Sequence, residues 1–544
     1  MAAQHPWVKN YPQGVRWDAE IPTCTLETIL ERSVERWPDR AAIDFMGHKI
    51  TYRQLGALTD RAAAGLQKLG VKPGVHVGLY LGNTPHYFVA FFGVMKAGGT
   101  VVNYSPLDTV KALEHKIADS ETDIMLTLNV PQLLPQMQQM MGKTRLKHLI
   151  VGEVTEPVPF GKLLDNDGKY VRHPKGVDDL AILQYTGGTT GTPKGAMLSH
   201  ANVSAATEIL WIKGQVDPPV LKLGVERELV VLPLFHIYSL TVCMLYGLRI
   251  GAELVLHARF DPAAAVKDIA EKKITIFPAV PTMYAAILSV PGVDKVDLSS
   301  LKVCGSGGAP LPVELFQAFQ KLTGCPLLEG WGMTETSPVG TFNPVRGLRK
   351  AGSCGMPVPG DEIRFVSLED PTKYVPLGEK GELCIKGPNI TRGYWKNAEA
   401  TQAQMTAEGF FRTGDAGYMD SDGFIFIVDR IKDMILCGGY NVYPRLIEEA
   451  IYEHPSVSEV IVIGVHDAYR GQSPKAFVKL KPGAAPFTLD ELKDFLKDRL
   501  GRHEMVQALE IRAELPKTPV GKLSKKELYA EEAKKLEESK ETAK

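Results

Sequence analysis

Segments typical of β-strands and of helices alternate along roughly the first 330 residues, and this alternation limits the possible folds most strongly. A helix is predicted from Thr51, because Thr51 and Gln54 match a T-x-x-Q capping box and apolar residues follow at helical spacing. Short apolar strands are predicted at 75–81 and 101–103, with a helical stretch around 91–95 between them. Strands that alternate with helices usually form parallel sheets covered by helices. The chain is therefore predicted to be an α/β protein.

The pattern changes after about residue 350. Short alternating segments at 362–366 and 381–385, punctuated by Gly and Pro, predict a small antiparallel β unit. A charged run at 429–433 separates two apolar segments and indicates a domain boundary. The remaining residues are enough for one independent domain. We therefore predict an N-terminal domain of residues 1–430 and a C-terminal domain of residues 431–544, whose tail from Lys526 is a solvated, fraying helix.

Composition excludes several classes of function. The 544 residues carry a net charge of -1, which gives no electrostatic basis for binding nucleic acid. The seven cysteines form no C-x-x-C pair, so neither a disulfide scaffold nor a zinc site is indicated, and a reducing cytosol is expected. The N-terminus has no apolar secretory signal. The uncharged segment 229–248 is long enough to span a membrane, but it contains Pro233, His236 and Gly247, so a buried strand, turn and helix is predicted.

A loop rich in glycine and threonine, residues 185–195, directly follows the apolar run 180–183. Glycines let backbone N–H groups converge on phosphate oxygens, while the threonines add hydroxyl donors and Lys194 adds a positive charge. Because Gly195 follows this lysine in place of Ser or Thr, the segment is not the loop of the P-loop NTPases. It predicts a different nucleotide chemistry, with a plain glycine-rich turn as the alternative.

Later segments carry groups that suit a nucleotide. In the run 329–335, Trp331 is suited to lie against a purine, Thr334 to donate to a phosphate and Glu335 to hold Mg²⁺. Asp415 lies in a Gly-supported turn, where its carboxylate could accept hydrogen bonds from ribose hydroxyls. Lys522 lies on a loop stiffened by Pro and Gly. Taken singly, these residues have plainer alternatives, a tight turn or a solvated surface charge.

Together these segments resemble the acyl-adenylate-forming superfamily, or AMP-binding enzymes, from Thr51 to Lys522. The similarity to bacterial long-chain fatty-acyl-CoA ligases is greatest in the runs 183–191, 232–241, 432–435 and 441–444. The resemblance implies a large N-terminal domain of two parallel-type α/β subdomains plus a small β-barrel-like subdomain. A small mobile α+β C-terminal domain would follow. The implied activity is that of an acyl-CoA synthetase that uses ATP, Mg²⁺ and coenzyme A.

The resemblance also implies roles for individual residues. A carboxylate would attack the α-phosphate of Mg-ATP to form acyl-AMP and pyrophosphate, and the thiol of coenzyme A would then displace AMP. The residues implied in catalysis are Lys522, Thr334, His236 and the Mg²⁺ ligand Glu335. A hydrogen-bonded core histidine is the alternative for His236. The residues implied in ATP or AMP binding are Thr186, Gly187, Gly188, Thr189, Thr190, Gly191, Lys194, Gly307, Gly308, Ala309, Pro310, Trp331, Gly332, Asp415 and Arg430.

A rotation of the C-terminal domain between the two steps is implied as well, with Lys432 at the hinge position. The residues that would then replace Lys522 and line the pantetheine tunnel are Gly438, Gly439 and Tyr440. The chain departs from the family pattern at Leu446, at Gln472 and in the run 502–506. These departures bear on the docking of coenzyme A and on domain closure, and they leave the adenylation motifs intact.

The implied function is ATP-dependent ligation of medium- to long-chain aliphatic acids to coenzyme A. Loading of a carrier protein, ligation of a dicarboxylic acid and non-catalytic binding of acyl-AMP are the alternatives. Segments 234–245 and 278–284 are apolar enough to line an acyl tunnel, although most of their residues are expected in the core. The expected partners are a fatty acid, ATP and coenzyme A. A cytoplasmic location is expected, with peripheral contact at the inner face of the membrane as an option, and both a monomer and a homodimer remain open.

Overall fold

In a computed structural model, the described residues form four sheets with helices packed around them. The structure describes residues 5–154, 160–186, 193–437, 440–467, 469–518 and 522–542. Residues 539–542 are described by their backbone only. Several predicted site residues lie outside these ranges, namely Gly187, Gly188, Thr189, Thr190, Gly191, Gly438 and Gly439.

One sheet has six strands, which are β3 (His76–Leu79), β4 (Thr100–Asn103), β5 (Ile124–Leu128), β6 (His148–Gly152), β7 (Leu180–Thr186) and β8 (Lys194–Ser199). Their order is β6-β5-β3-β4-β7-β8, and all neighbours are parallel except β7 and β8. The strands predicted at 75–81 and 101–103 are therefore confirmed. Because Thr186 pairs with Lys194, the predicted nucleotide loop starts and ends on adjacent strands.

A second sheet has nine strands, which are β1 (Ala41–Phe45), β2 (His48–Thr51), β9 (Arg227–Val230), β10 (Glu253–Leu256), β11 (Ile276–Ala279), β12 (Val303–Ser306), β13 (Leu327–Trp331), β14 (Thr341–Phe342) and β15 (Met356–Pro357). Their order is β15-β14-β13-β12-β11-β9-β10-β1-β2. The six strands from β13 to β1 in that order are parallel, as the strand-helix alternation predicted. Ligands of α/β sheets commonly bind beyond the carboxyl ends of such strands.

The small antiparallel unit predicted after residue 350 is confirmed as a four-stranded sheet. Its strands are β16 (Glu362–Val366), β17 (Gly381–Lys386), β18 (Phe411–Met419) and β19 (Ile425–Arg430), which pair in that order. The register of β18 and β19 places Asp415 directly opposite Arg430. Two of the predicted nucleotide-binding residues are thus adjacent because of strand pairing.

The fourth sheet follows the charged run at 429–433. It contains β20 (Ile435–Cys437), β21 (Tyr440–Val442), β22 (Val457–Asp467), β23 (Gly471–Leu480) and β24 (Ala508–Ile511). Its apolar core includes Ile447, Val462 and Leu492 and forms a cluster separate from that of the two large sheets. Such a cluster suits a region that forms its own core.

The helices cover the sheets as expected for an α/β fold. They are α1 (Leu26–Arg36), α2 (Tyr52–Lys68), α3 (Pro85–Ala97), α4 (Val110–Asp119), α5 (Leu134–Lys143), α6 (His200–Lys213), α7 (Tyr246–Arg249), α8 (Pro262–Glu271), α9 (Pro281–Leu288), α10 (Val313–Thr323), α11 (Ala398–Ala403), α12 (Pro444–Tyr452), α13 (Leu489–Leu496) and α14 (Lys526–Thr542). The capping box predicted at the start of α2 is present in both directions, through Thr51 and Gln54.

The C-terminal tail differs from its prediction. Residues of α14 were expected to be solvated, but Leu528 is fully buried and Tyr529 packs beside it against Ile461 and Phe477. The reason is that the start of this helix carries an apolar pair among its charged residues, and that pair docks on β22 and β23. The prediction was therefore wrong for the first turn of α14.

The uncharged segment 229–248 is buried in the large domain, as predicted. It contains the end of β9, a π-helical turn at Ser239–Leu245 and most of α7. Within the described ranges, no helix has both the length and the apolar character needed to cross a membrane. The π-helical turn begins three residues after His236, and such turns are frequent at functional sites.

Candidate active site

A cavity of about 860 Å³ lies where the carboxyl ends of β12 and β13 meet the four-stranded sheet and the C-terminal segment. The predicted site residues that line it are Thr186, Lys194, His236, Gly307, Gly308, Trp331, Gly332, Thr334, Glu335, Arg430, Lys432 and Lys522. The described ones that do not line it are Ala309, Pro310, Asp415 and Tyr440. Motifs spread over more than 300 residues of sequence thus converge on one cavity.

Glu335 lies in the cavity wall, in the short 3₁₀ turn Thr334–Thr336 that follows β13. Only 4% of its surface is exposed, and burial raises the pKa of its carboxyl. The hydroxyl of Tyr394 donates to Oε1 at 2.7 Å, and the N–H of Thr391 donates to the Glu335 carbonyl at 2.7 Å. Lys194 Nζ lies 5.3 Å from the centre of the same tyrosine ring. Tyr394 therefore links the end of the nucleotide loop to the predicted metal ligand.

A second group joins Trp331, Asp415 and Arg430. The indole Nε1–H of Trp331 donates to Asp415 Oδ2 at 2.8 Å, and Arg430 Nε lies 2.6 Å from Oδ1. Asp415 is 3% exposed through its side chain, so the two donors hold a buried carboxylate in place. Each carboxylate oxygen retains a further lone pair as an acceptor. The strand register and these two contacts fix the orientation of Trp331 and Arg430 toward the cavity.

Lys522 enters the cavity from the C-terminal segment. A turn positions it, because the N–H of Thr518 donates to the Lys522 carbonyl at 2.6 Å and the Lys522 N–H donates to Thr518 Oγ1 at 3.1 Å. Its side chain runs over Gly308, whose φ of +79° lies in the left-handed region. A Cβ at that glycine would lie 2.6 Å from Nζ, so the close approach requires glycine there.

Burial and one neighbouring charge lower the pKa of this lysine. Burial, followed by the nearby charge of Arg430, lowers the pKa of Lys522 to about 8. Its ammonium group makes no hydrogen bond or ion pair with any residue in the described part of the chain. The site therefore presents an unpaired, mostly protonated amine near neutral pH, which is suited to an anionic substrate.

His236 lines the same cavity. Its Nδ1 accepts the N–H of Tyr238 at 3.2 Å. Burial, with the charge of Lys522 as a second cause, lowers the pKa of His236 to about 3, so the ring is neutral near pH 7. A neutral imidazole that accepts at Nδ1 carries its proton on Nε2, which can then donate a hydrogen bond.

The rest of the cavity is largely apolar. From the two segments considered for an acyl tunnel, Ile237, Tyr238, Val242 and Pro278 line it, whereas most of the others belong to the buried core, as expected. Further apolar lining comes from places that no motif identified, such as Leu210, Val216, Val220, Leu221, Tyr246, Ile276, Val303, Phe342 and Val345. The cavity wall thus combines polar and charged groups with many apolar side chains.

Tyr394 is the main site residue that sequence reasoning missed. It is 59 residues from Glu335, and a strand-helix pattern carries no signal for such a contact. The run 389–395 does resemble the other motifs, since it mixes Gly, hydroxyl and aromatic residues. Tyr440, in contrast, is predicted from sequence to line the pantetheine tunnel. In this structure its side chain is 60% exposed, and its ring lies 4.9 Å from that of His503.

Comparison with known proteins identifies the family of the chain. Residues 30–395 match the AMP-binding enzyme family, and residues 446–522 match the AMP-binding enzyme C-terminal domain. The chain belongs to the AMP-binding enzyme family. A long-chain-fatty-acid–CoA ligase of Bacillus subtilis (strain 168) is 39% identical over 98% of this chain and 99% of its own. A feruloyl-CoA synthase of Amycolatopsis sp is 36% identical over 90% and 96%.

The structure is also similar to a solved ATP-bound protein. It matches ATP-bound MatB from Rhodopseudomonas palustris with a TM-score of 0.85 at 29% identity, over 93% of this chain and 98% of that one. The apo form of MatB gives a lower TM-score, 0.77. The predicted enzyme class, an acyl-CoA synthetase with ATP, Mg²⁺ and coenzyme A as cosubstrates, agrees with this family membership.

Proposed function

We propose that the protein converts medium- to long-chain aliphatic carboxylic acids into acyl-adenylates with Mg-ATP and then transfers the acyl group to coenzyme A. The observation that carries the proposal is the unpaired ammonium group of Lys522 in a cavity whose wall combines polar and apolar side chains. The polar groups suit the triphosphate and the reacting carboxylate, and the apolar groups suit an alkyl chain.

In the first step two anions must approach each other, so neutralisation of charge dominates the barrier. Lys522 bridges the attacking carboxylate and the α-phosphate, with Arg430 supplying a second positive charge beside it. Nε2–H of the neutral His236 donates to the carboxylate and orients it, since a neutral ring adds no competing charge. Thr334 donates its hydroxyl to the α-phosphate.

Glu335 would hold the Mg²⁺ that accompanies ATP. Protein sites for this ion often use one or two carboxylates together with substrate phosphates and water, and a single carboxylate in the cavity wall fits that arrangement. No cluster of three or more His, Cys, Asp or Glu side chains suited to a metal occurs among the described residues. When bound, the ion neutralises the phosphates, and Tyr394 holds the carboxylate in the orientation that the ion needs.

The nucleotide lies along the motifs of β12, β13 and β18. Trp331 and the backbone at Gly307 and Gly308 contact the adenine, and Asp415 with Arg430 contacts the ribose. The loop from Thr186 to Lys194 holds the terminal phosphates. Because Trp331 is fixed by its bond to Asp415, adenine and ribose recognition depend on the same carboxylate.

In the second step, the C-terminal domain, residues 431–544, rotates about Lys432 and withdraws Lys522. The exposed Tyr440 then reaches the cavity and contributes to the pantetheine tunnel with Gly438 and Gly439. The greater similarity to ATP-bound than to apo MatB supports assigning the present arrangement to the first step. Lys432 lies at the cavity rim, where a rotation would change its surroundings most.

Aliphatic acids are proposed because of the apolar lining and because the relatives at 35–39% identity include ligases of long-chain fatty acids. The relative named as a feruloyl-CoA synthase makes aromatic acids the comparison class. The test measures AMP and pyrophosphate release with Mg-ATP and acids of two to eighteen carbons, with and without coenzyme A, beside ferulic acid. Turnover that needs coenzyme A and peaks on medium or long aliphatic acids is expected, whereas a peak on ferulic acid or acetate contradicts the proposal.

A further inference from the structure

A lysine lies in the apolar wall of the cavity. Lys213 is the last residue of α6, and it lines the cavity together with Gly214. Its ammonium group makes no hydrogen bond and no ion pair within the described part of the chain, and it lies against the face of the Phe342 ring. A half-buried cation without an anionic partner is unfavourable, so its position in this wall calls for an explanation.

The described wall of the cavity offers Lys213 no free counter-charge. Leu210, Val216, Val220, Leu221 and Val242 line the same cavity and carry no charge. The carboxylates in the described cavity wall are those of Glu335 and Glu382, and both are engaged elsewhere, with Tyr394 and with Arg412. Burial lowers the pKa of Lys213 well below its ordinary value, and no charged side chain contributes to that lowering.

Lys213 lies where the main cavity adjoins a second, smaller one. Lys213 and Phe342 also line a small separate cavity beside Tyr11 and Pro12. The pair therefore forms the wall between the two cavities, at the boundary of the space in which an acyl chain would lie.

We propose that Lys213 binds a second carboxylate, so that the enzyme accepts α,ω-dicarboxylic acids whose far carboxylate pairs with this amine. The inference rests on the proposed function and specifies its substrate class. The near carboxylate would meet Lys522 and His236, and the methylene chain would lie along apolar side chains of the cavity wall. A carboxylate at Lys213 would restore the charge of the amine and supply the anionic partner that the described residues lack. The competing explanation is that Lys213 only closes the wall by stacking on Phe342.

The test compares kcat/KM for α,ω-dicarboxylic acids and for monocarboxylic acids of the same length, from six to fourteen carbons, by pyrophosphate release. The variants are Lys213→Met, which keeps the length of the side chain without its charge, and Lys213→Arg, which keeps the charge. Lys222→Met serves as the matched control, because this lysine lies nearby on the same segment but is exposed and does not line the cavity. Replacement of a buried counter-ion typically changes specificity at least tenfold.

The expected result is a length at which the wild type prefers the diacid, and a fall of about tenfold or more in that preference in Lys213→Met. The KM for the diacid should rise, kcat/KM for the monoacid should also rise, and Lys213→Arg should retain much of the preference. The proposal is overturned if the wild type shows no preference for the diacid at any length, or if Lys213→Met keeps that preference. Either result would leave stacking on Phe342, which closes the cavity wall, as the role of Lys213. The wild-type comparison decides even if Lys213→Met fails to fold. Absence of turnover with every acid contradicts the proposed function itself, which is a distinguishable outcome.

Discussion

Gly308 is predicted to control adenylation through Lys522. In Gly308→Ala the new Cβ would lie 2.6 Å from Nζ of Lys522 and close to its Cε, so the lysine must withdraw by about 1 Å to reach an ordinary contact. A misplacement of about 1 Å in a catalytic group can cost about 10²-fold in rate. Alanine at a φ of +79° also costs about 1–2 kcal/mol of backbone strain. We expect pyrophosphate formation from acid and Mg-ATP to fall about 10²-fold.

Gly324→Ala separates the strain from the contact. Gly324 ends α10 with a φ of +70°, and a Cβ there would meet nothing within 4 Å. Both variants should lose similar stability in thermal unfolding, but only Gly308→Ala should lose adenylation. In a Lys522→Ala background the Gly308 substitution should add little, because the two changes act on one interaction. Full additivity of the two losses, or normal adenylation in Gly308→Ala, would refute this reasoning.

Two further predictions concern the charged groups of the cavity. Tyr394→Phe removes one hydrogen bond to the Glu335 carboxylate, worth about 1.5–3 kcal/mol, so kcat/KM for Mg-ATP should fall at least about tenfold in initial-rate assays; an unchanged value would mean that the bond does not orient Glu335. Because the pKa of Lys522 is about 8 and its protonated form is the active one, kcat/KM for the acid should be highest below that pH and decline as the pH rises through it. Lys522→Arg should move that decline to higher pH if the variant is active, and a decline that stays near pH 8 would assign it to another group.

Much of the fold follows from local patterns. The capping box at Thr51 and Gln54 predicted the start of α2, and the change of pattern near residue 350 predicted the four-stranded sheet. Both signals are local, because capping and strand alternation are decided by residues that are close in sequence. The order of the nine-stranded sheet was not accessible in this way, since β1 pairs with β10 across about 200 residues. The docking of Leu528 was missed for the same reason, because its partner surface lies on distant strands.

The site, like the fold, has one part that the sequence predicts and another part that it does not. Segments rich in glycine, hydroxyl and charged residues predicted most of the polar cavity wall, including Glu335, Arg430 and Lys522. The apolar lining was not predictable, because residues such as Val216 and Phe342 resemble ordinary core residues in sequence. Lys213 gave no signal either, since a lysine at the end of a helix is usually solvated.

The central claim, that Lys522 serves acyl-adenylate formation within this cavity, is tested most directly by measuring the two half-reactions separately in wild type and Lys522→Ala. A unit charge about 4 Å from its partner at an effective dielectric constant near 20 is worth about 4 kcal/mol, or about 10³-fold in rate. The account predicts that pyrophosphate formation from acid and Mg-ATP falls by about that factor, while synthetic acyl-AMP still reacts with coenzyme A at a rate within a few-fold of wild type. Equal loss of both half-reactions, or retention of the first, would contradict it.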